Sequence, residues 1–160
     1  MRKRVIAVNE RERLSGVAAE NWLDLADAIV EVSSEEPEYP IEHALSLDAD
    51  EHAMWRAAAP GKQTVRIIFD KPCRLSRIYL VFEERARPRS QEFLLAWSSD
   101  EHAEPREFVR QQWNFSPEGA CVEVEDFKVS LENVKVVQLV IQPDRQDGVA
   151  RATLQRLRLA

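Results

Sequence analysis

The chain has 160 residues, of which 44% are hydrophobic, and its formal net charge at pH 7 is −6. A chain of this length is expected to form one domain with its own hydrophobic core. The negative charge argues against non-specific nucleic-acid binding, which needs a broad cationic surface. No segment approaches the roughly 20 apolar residues that span a membrane.

Residues 1–27 are predicted to be an extension that packs on a domain formed by residues 28–160. The extension opens with a basic cluster, Met1–Arg4, which we interpret as a solvated tail. No apolar run of signal-peptide length follows this cluster, so a cytoplasmic location is expected. Apolar residues at helical spacing predict a short N-terminal helix from Val17 to Ala26, with Trp22 and Leu25 packing on the domain.

From Ala28 onward the apolar residues recur with period two, which is typical of β-strands. The predicted strands are 29–33, 64–70, 75–83, 91–98, 107–113, 121–129, 134–142 and 152–159, with a further short strand near Trp55. A long polar loop rich in Glu and Pro separates the first strand from the others, from Ser34 to about Asp50. Many short strands without intervening helices indicate an all-β fold, an antiparallel β-sandwich of the jelly-roll type.

Alternation along each strand assigns one set of side chains to the core and the other to solvent. The predicted inward residues are Val65, Ile67, Phe69, Ile78, Leu80, Phe82, Phe93, Leu95, Trp97, Val122, Val124, Val137, Leu139 and Ile141. The predicted outward charges are Arg66, Arg77, Arg110, Glu123 and Glu125. Opposite charges on neighbouring strands are expected to form cross-strand pairs on a solvated sheet face.

The segment from Glu107 to Phe115 contains a Trp in a polar run. Alternation places Trp113 on the same face as Val109 and Phe115, which predicts that it packs in the core. The alternative is an exposed aromatic platform on which a sugar stacks.

Cys73 and Cys121 lack the CxxC spacing of a redox or zinc site. In a chain without a secretion signal they are predicted to be two reduced thiols, with a disulfide between them as the alternative.

Several short segments occur in an order that carries a family likeness. They are Val30–Ser34, Pro40–Leu45, Trp55, Gln63–Asp70, Leu75–Ile78, Ala96–Asp100 and Ala150–Leu157. Together they resemble the discoidin family, the coagulation-factor type C domains, and the wider galactose-binding-like jelly rolls. The likeness covers residues 28–160. It implies an eight-stranded jelly roll that binds glycans, lipid head groups or protein partners through its loops, usually without catalysis.

The chain departs from that family pattern in two places. Many relatives carry Asp-Gly in the acidic loop before the Trp, where it supports a structural calcium ion, whereas Leu47-Asp48-Ala49-Asp50 has no Gly. Many relatives also carry terminal disulfide cysteines, which this chain lacks. We therefore expect no cofactor, with a structural calcium ion as the less favoured alternative, and an extracellular glycan is a weaker expectation than the family name suggests.

No nucleotide-binding or nucleophile motif is present in the sequence, neither GxGxxG, a P-loop nor GxSxG. His43, His52 and His102 are too far apart in sequence to form a local metal-binding motif. No catalytic and no metal-ligating residue is therefore assigned, and the chain is predicted not to be an enzyme.

In an antiparallel sandwich consecutive loops alternate between the two ends, which groups loops 84–90, 114–120 and 143–151 at one end and loops 71–74, 99–106 and 130–133 at the other. Guanidinium, carboxamide and carboxylate groups in the first set suit the oxygens of a polar ligand. The predicted ligand-binding residues are Arg85, Arg87, Arg89, Asn114, Asp144 and Arg145. The alternative for Glu83 to Arg87 is that their charges solvate a tight turn.

The resemblance and the loop residues are compatible with two functions. The first is a binding module for carbohydrate or another small polar ligand, acting through this loop end. The alternative is an intracellular protein-interaction or assembly domain, with a protein partner or a second copy on the outer sheet face.

Overall fold

A computed structural model of the protein describes residues 21–160. Within this range the strands are β1 (Ile29–Val32), β2 (Trp55–Arg56), β3 (Gln63–Glu83), β4 (Arg89–Ser98), β5 (Arg106–Phe115), β6 (Val122–Gln142), β7 (Thr153–Leu154) and β8 (Arg156–Leu159). A one-turn helix, α1 (Glu42–Leu45), lies in the long polar loop. All the strand pairs are antiparallel, so the predicted all-β class is confirmed.

β3 and β6 are each 21 residues long and pair with each other along most of their length. Their pairing becomes irregular between Ile68 and Arg77 of β3. Asn133 in the facing part of β6 has a φ of 57°, a left-handed conformation that Asn adopts more readily than most side chains. Residues 71–74 and 130–133, predicted as loops between separate strands, are thus irregular bends within two continuous strands.

The bends divide β3 and β6 between the two layers of the sandwich. The strand order is β1–β3–β6–β4–β5, and β8 pairs with the second half of β3. Phe82 from the second half of β3 meets Phe93 of β4 across the core, with ring centroids 5.2 Å apart. The two inner faces therefore pack on each other, as expected for a sandwich.

Most of the predicted inward residues are buried in this core. They are Val65, Ile67, Phe69, Ile78, Leu80, Phe82, Phe93, Leu95, Val137, Leu139 and Ile141. Trp97 is half-buried, and the guanidinium of Arg106 lies 5.1 Å from the centre of its ring. Cross-strand ion pairs form on the outer faces as predicted, for example Arg77 with Asp126 at 2.7 Å.

The predicted orientation at the start of β6 is wrong. Val122 and Val124 are exposed, at 37% and 50%, whereas Glu123 is only 1% exposed. The longer apolar series further along this strand, which includes Phe127 and Val129, packs against the core. Because alternate residues share a face, that series sets the orientation and carries Glu123 inward.

Trp113 lies on the inward face of β5, as predicted, because its neighbours Gln112 and Asn114 are exposed. The indole is half-buried rather than fully buried, and it packs edge-on against Phe115 with centroids 6.5 Å apart. Its Nε1 is covered and has no hydrogen-bond partner among residues 21–160.

The predicted helix from Val17 to Ala26 lies partly outside the described residues, and residues 22–25 within it are not helical. Trp22 stacks on Tyr79 of β3, with ring centroids 5.9 Å apart. The amide of Leu23 donates a hydrogen bond of 2.8 Å to the carbonyl of Leu159. The chain before β1 thus contacts the layer formed by the second half of β3 and by β8.

Candidate functional site

Three loops meet at one end of the sandwich, and we call this region the loop end. They are residues 84–88, 116–121 and 143–152. The amide of Glu84 donates to the carbonyl of Cys121 at 2.8 Å, and the amide of Arg145 donates to the carbonyl of Ser90 at 2.8 Å. These bonds confirm that the first predicted set of loops lies at one end of the sandwich.

Arg89 is not the exposed loop residue that the sequence predicts. β4 already begins at Arg89, and the side chain is only 2% exposed. Its guanidinium lies 2.9 Å from Glu84, donates to the carbonyl of Pro143 at 2.7 Å and covers the ring of Phe115 at 4.6 Å. Arg89 is therefore an internal clamp between loops, and burial lowers the pKa of its guanidinium.

The other two predicted arginines of this segment are exposed. Arg85 forms an ion pair with Glu83, and its Nη1 lies 3.5 Å from the sulfur of Cys121. Arg87 forms no ion pair with any residue in the described range, 21–160, and it lines a pocket. Of the six predicted ligand-binding residues, Arg87 alone is among those that line this pocket.

Asn114, Asp144 and Arg145 do not line the pocket. Asn114 accepts a hydrogen bond of 2.8 Å from the hydroxyl of Ser90. Asp144 accepts one of 3.0 Å from the amide of Gln146. Arg145 lies 3.3 Å from Glu92. The side chains of these three predicted ligand-binding residues therefore already have partners within the protein, on a polar surface next to β4 and β5.

The pocket at the loop end has a volume of about 370 Å³, and we call it the arginine pocket. Its lining residues are Glu36, Arg56, Glu84, Arg87, Val149, Arg151 and Thr153. The sequence reasoning missed Glu36, Arg56 and Arg151, which come from the polar loop, from β2 and from the segment before β7. The pairing of β2 with β7, which places Arg56 opposite Thr153, brings these segments together.

Glu36 is the electrostatic centre of one wall of the arginine pocket. Its carboxylate lies 2.8 Å from Arg56 and 2.5 Å from Arg151. The hydrogen bond from Arg56 holds the pKa of Glu36 below its usual range, although partial desolvation opposes this. Arg56 is in turn stacked over the ring of Tyr39, with its guanidinium carbon 4.4 Å from the ring centre. In this wall the ion pairs with Glu36 therefore fix the orientation of the Arg56 and Arg151 guanidiniums.

A chain of buried polar groups runs from Arg89 into the core. Arg89 donates to the side chain of Gln91 at 2.9 Å, and Gln91 donates to Glu123 at 3.3 Å. Burial, and then the neighbouring carboxylate of Glu125, raise the pKa of Glu123 to about 8. Glu123 is therefore largely protonated at neutral pH. Arg89 and the protonated Glu123 thus belong to one hydrogen-bond network, which Gln91 connects.

A larger pocket, of about 520 Å³, lies between residues 24–30 and the segment around α1. Ile41 and Leu45 in its lining are buried, and its charged lining residues are the acids Asp24, Glu42 and Asp48. It lacks the guanidinium and carboxamide groups on which the sequence-based prediction of a ligand site rests. Hence the arginine pocket is the better match to that prediction.

Among residues 21–160 there is no group of three or more His, Cys, Asp or Glu side chains placed to hold a metal ion. In the same range no helix has the length and apolar character needed to cross a membrane. Cys73 and Cys121 are both free, as predicted, and burial raises the pKa of the Cys73 thiol.

Residues 23–81 match the family model described as XRCC1 N terminal domain. No curated protein sequence is significantly similar to this chain.

Solved structures are similar over most of the chain. The family 32 CBM from Clostridium perfringens NanJ in complex with galactose shares 13% identity and a TM-score of 0.62, covering 86% of this chain and 96% of its own. CBM32-3 from a family 31 glycoside hydrolase from Clostridium perfringens shares 15% identity and a TM-score of 0.65, covering 89% and 96%. A third, CpGH89CBM32-5 from the same organism in complex with GalNAc-beta-1,3-galactose, shares 15% identity and a TM-score of 0.62, covering 87% and 99%. The resemblance predicted from the sequence is thereby confirmed at the level of the fold.

Proposed function

We propose that this galactose-binding-like jelly roll is a non-catalytic binding module for a carbohydrate or another small polar ligand, and that the ligand binds in the arginine pocket. The observation that carries the proposal is Arg87, whose exposed guanidinium faces this pocket without an ion-pair partner among residues 21–160. A rigid sandwich that presents polar loop residues at one end is a common scaffold for ligand recognition.

The size and chemistry of the pocket support this proposal. A volume of about 370 Å³ lies at the lower end of the range typical of small-molecule sites, which suits one or two sugar rings. Guanidinium groups bind paired oxygens, including vicinal hydroxyls, through two N–H donors. Arg89 is buried and joins Glu84 to the carbonyl of Pro143, so we assign it a role in positioning these loops rather than a ligand contact.

The remaining predicted residues would border a ligand that extends beyond the pocket. Asn114, Asp144 and Arg145 offer a carboxamide, a carboxylate and a guanidinium on the surface near β4 and β5. Arg85 lies in the same loop as Arg87 but is engaged with Glu83. Carbohydrate is the favoured ligand class because the similar structures named above include modules in complex with sugars.

A glycan array with the purified chain tests the proposal. Saturable binding to at least one glycan, weakened by Arg87→Ala, is the expected result. An array without saturable signals would contradict the carbohydrate assignment.

A second candidate function, protein interaction through the outer sheet face, is favoured by one observation. Val122 and Val124 are exposed on the outer face of β6, where the sequence predicts them to be inward. If a second copy covers this face, Val124→Glu converts a concentration-dependent dimer to a monomer in sedimentation equilibrium. A parent chain that is monomeric at all concentrations would leave Val122 and Val124 as ordinary exposed residues.

A further inference from the structure

The charges around the arginine pocket are unequal. The guanidinium groups that line it belong to Arg56, Arg87 and Arg151, and the carboxylates to Glu36 and Glu84. The chain as a whole carries a formal net charge of −6. The arginine pocket is therefore a local positive site on an acidic protein, which is a preferred place for an anion to bind.

Each of the two carboxylates of the pocket already has a guanidinium partner. Glu36 lies between Arg56 and Arg151, at 2.8 and 2.5 Å. Glu84 lies 2.9 Å from the buried guanidinium of Arg89. Of the guanidiniums that line the pocket, that of Arg87 alone has no ion-pair partner among residues 21–160.

The wall formed by β2 and β7 adds two polar groups that have no partner. Arg56 Nε and Thr153 Oγ1 belong to residues that are directly opposite in the strand pairing. Both atoms are covered, and neither has a hydrogen-bond partner among residues 21–160. The N–H of Arg56 Nε therefore has no acceptor to offset its partial positive charge, whereas the hydroxyl of Thr153 can donate or accept.

We propose that the arginine pocket selects a carboxylate-bearing saccharide, a hexuronate, over its neutral counterpart, with Arg87 binding the carboxylate. This inference rests on the proposed function and specifies its ligand class. A planar guanidinium pairs with a carboxylate through two parallel N–H···O bonds, whereas a neutral hydroxymethyl group offers a single oxygen. The oriented charges of Glu36, Arg56 and Arg151 are left to bind the ring hydroxyls.

The experiment compares matched sugars that differ only at C6. Binding of galacturonate and galactose, glucuronate and glucose, and mannuronate and mannose is measured by calorimetry at pH 7 and low salt. We expect at least one uronate to bind about tenfold more tightly than its neutral partner, as for one partly exposed charge-assisted pair. The preference should shrink in about 0.5 M NaCl, because salt screens exposed charges.

Two variants locate the effect. Arg87→Gln removes the charge that we assign to the carboxylate and should bring the preference to within about threefold, given the modest worth of exposed pairs. Arg74→Gln is the matched control, since Arg74 is an exposed arginine outside the loop end and is paired with Glu132 at 3.1 Å. It should leave the preference unchanged. Both positions are exposed, so circular dichroism should show both variants folded as the parent.

The outcomes separate this inference from the proposed function. Saturable binding of a neutral hexose as tight as its uronate overturns the inference and leaves the proposed function standing. A preference that survives Arg87→Gln, or uronate binding displaced equally well by acetate, also overturns it. An absence of binding to these sugars and to every glycan of the array overturns both.

Discussion

The buried guanidinium of Arg89 lies 2.9 Å from the carboxylate of Glu84, and this ion pair joins the start of β4 to the loop before it. Removing the charge leaves Glu84, Gln91 and the carbonyl of Pro143 without their donor. Because unpaired buried groups are costly, Arg89→Ala should lower the free energy of unfolding by about 3 kcal/mol.

Urea denaturation measures this loss, and Arg85→Ala is the control. The exposed Arg85 should change the free energy of unfolding by no more than about 0.5 kcal/mol. Equal stabilities of the two variants would show that the clamp contributes nothing.

Glu123 makes stability depend on pH. Burial raises its folded-state pKa from about 4.5 to about 8, so between these values the folded chain holds a proton that the unfolded chain has released. The stabilisation that the protonated Glu123 contributes is fully present below a pH of about 4.5. It decreases as the pH rises and is lost once the pH has passed through the folded-state pKa of about 8. The slope is at most about 1.4 kcal/mol per pH unit.

Glu123→Gln keeps an oxygen that can accept from Gln91 and removes the titration. The charged groups that face this site are Glu125 on β6 and Arg89 on β4, and both stay in the variant. Urea melts at several pH values should show the parent losing stability relative to Glu123→Gln as the pH rises to about 8. Parallel pH profiles of parent and variant would mean that Glu123 titrates normally.

Trp113 tests the assignment of β5. The half-buried indole packs on Phe115, so Trp113→Ala should cost about 2–4 kcal/mol, less than deletion of a fully buried Trp. The neighbouring exposed Asn114→Ala should stay within about 0.5 kcal/mol of the parent. Thermal or urea melts compare them, and a Trp113→Ala variant as stable as the parent would make the indole a candidate stacking platform.

The start of β6 shows how far sequence reasoning reaches. Val122 and Val124 suggest that their face of the strand points inward. Phe127 and Val129 lie on the opposite face, however, and they pack on the core. Reading the strand backward from these residues would have placed Glu123 inside. The error came from applying alternation to a short run when a longer one sets the register.

The positions of most strand residues and the grouping of the loops at the loop end could be predicted, because period two and turn residues are local properties of the sequence. The continuity of β3 and β6 through residues 71–74 and 130–133 could not. The arginine pocket could not, because Glu36 and Arg151 meet only through the pairing of β2 with β7. Arg89 was assigned to an exposed loop because no local pattern shows that Glu84 and Phe115 enclose it.

The acidic segment around Asp48 and Asp50 is expected to hold no structural calcium. It lacks the Gly that allows a tight turn around a cation, so no metal should contribute to folding. Addition of EDTA should shift the melting temperature by no more than about 1 °C, because a metal bound to the folded state would stabilise it. A larger loss, restored by calcium, would show that these carboxylates help to hold an ion.

The central claim is that the loop end binds the ligand. Nuclear magnetic resonance of the labelled chain, titrated with the strongest glycan of the array, tests it most directly. Saturable shifts of amide signals should concentrate in residues 84–88 and 149–153, with Arg87 among them. The claim would be contradicted by shifts confined to residues 99–105 or to the outer face around Val124. It would also be contradicted if no amide signal shifts at saturating glycan.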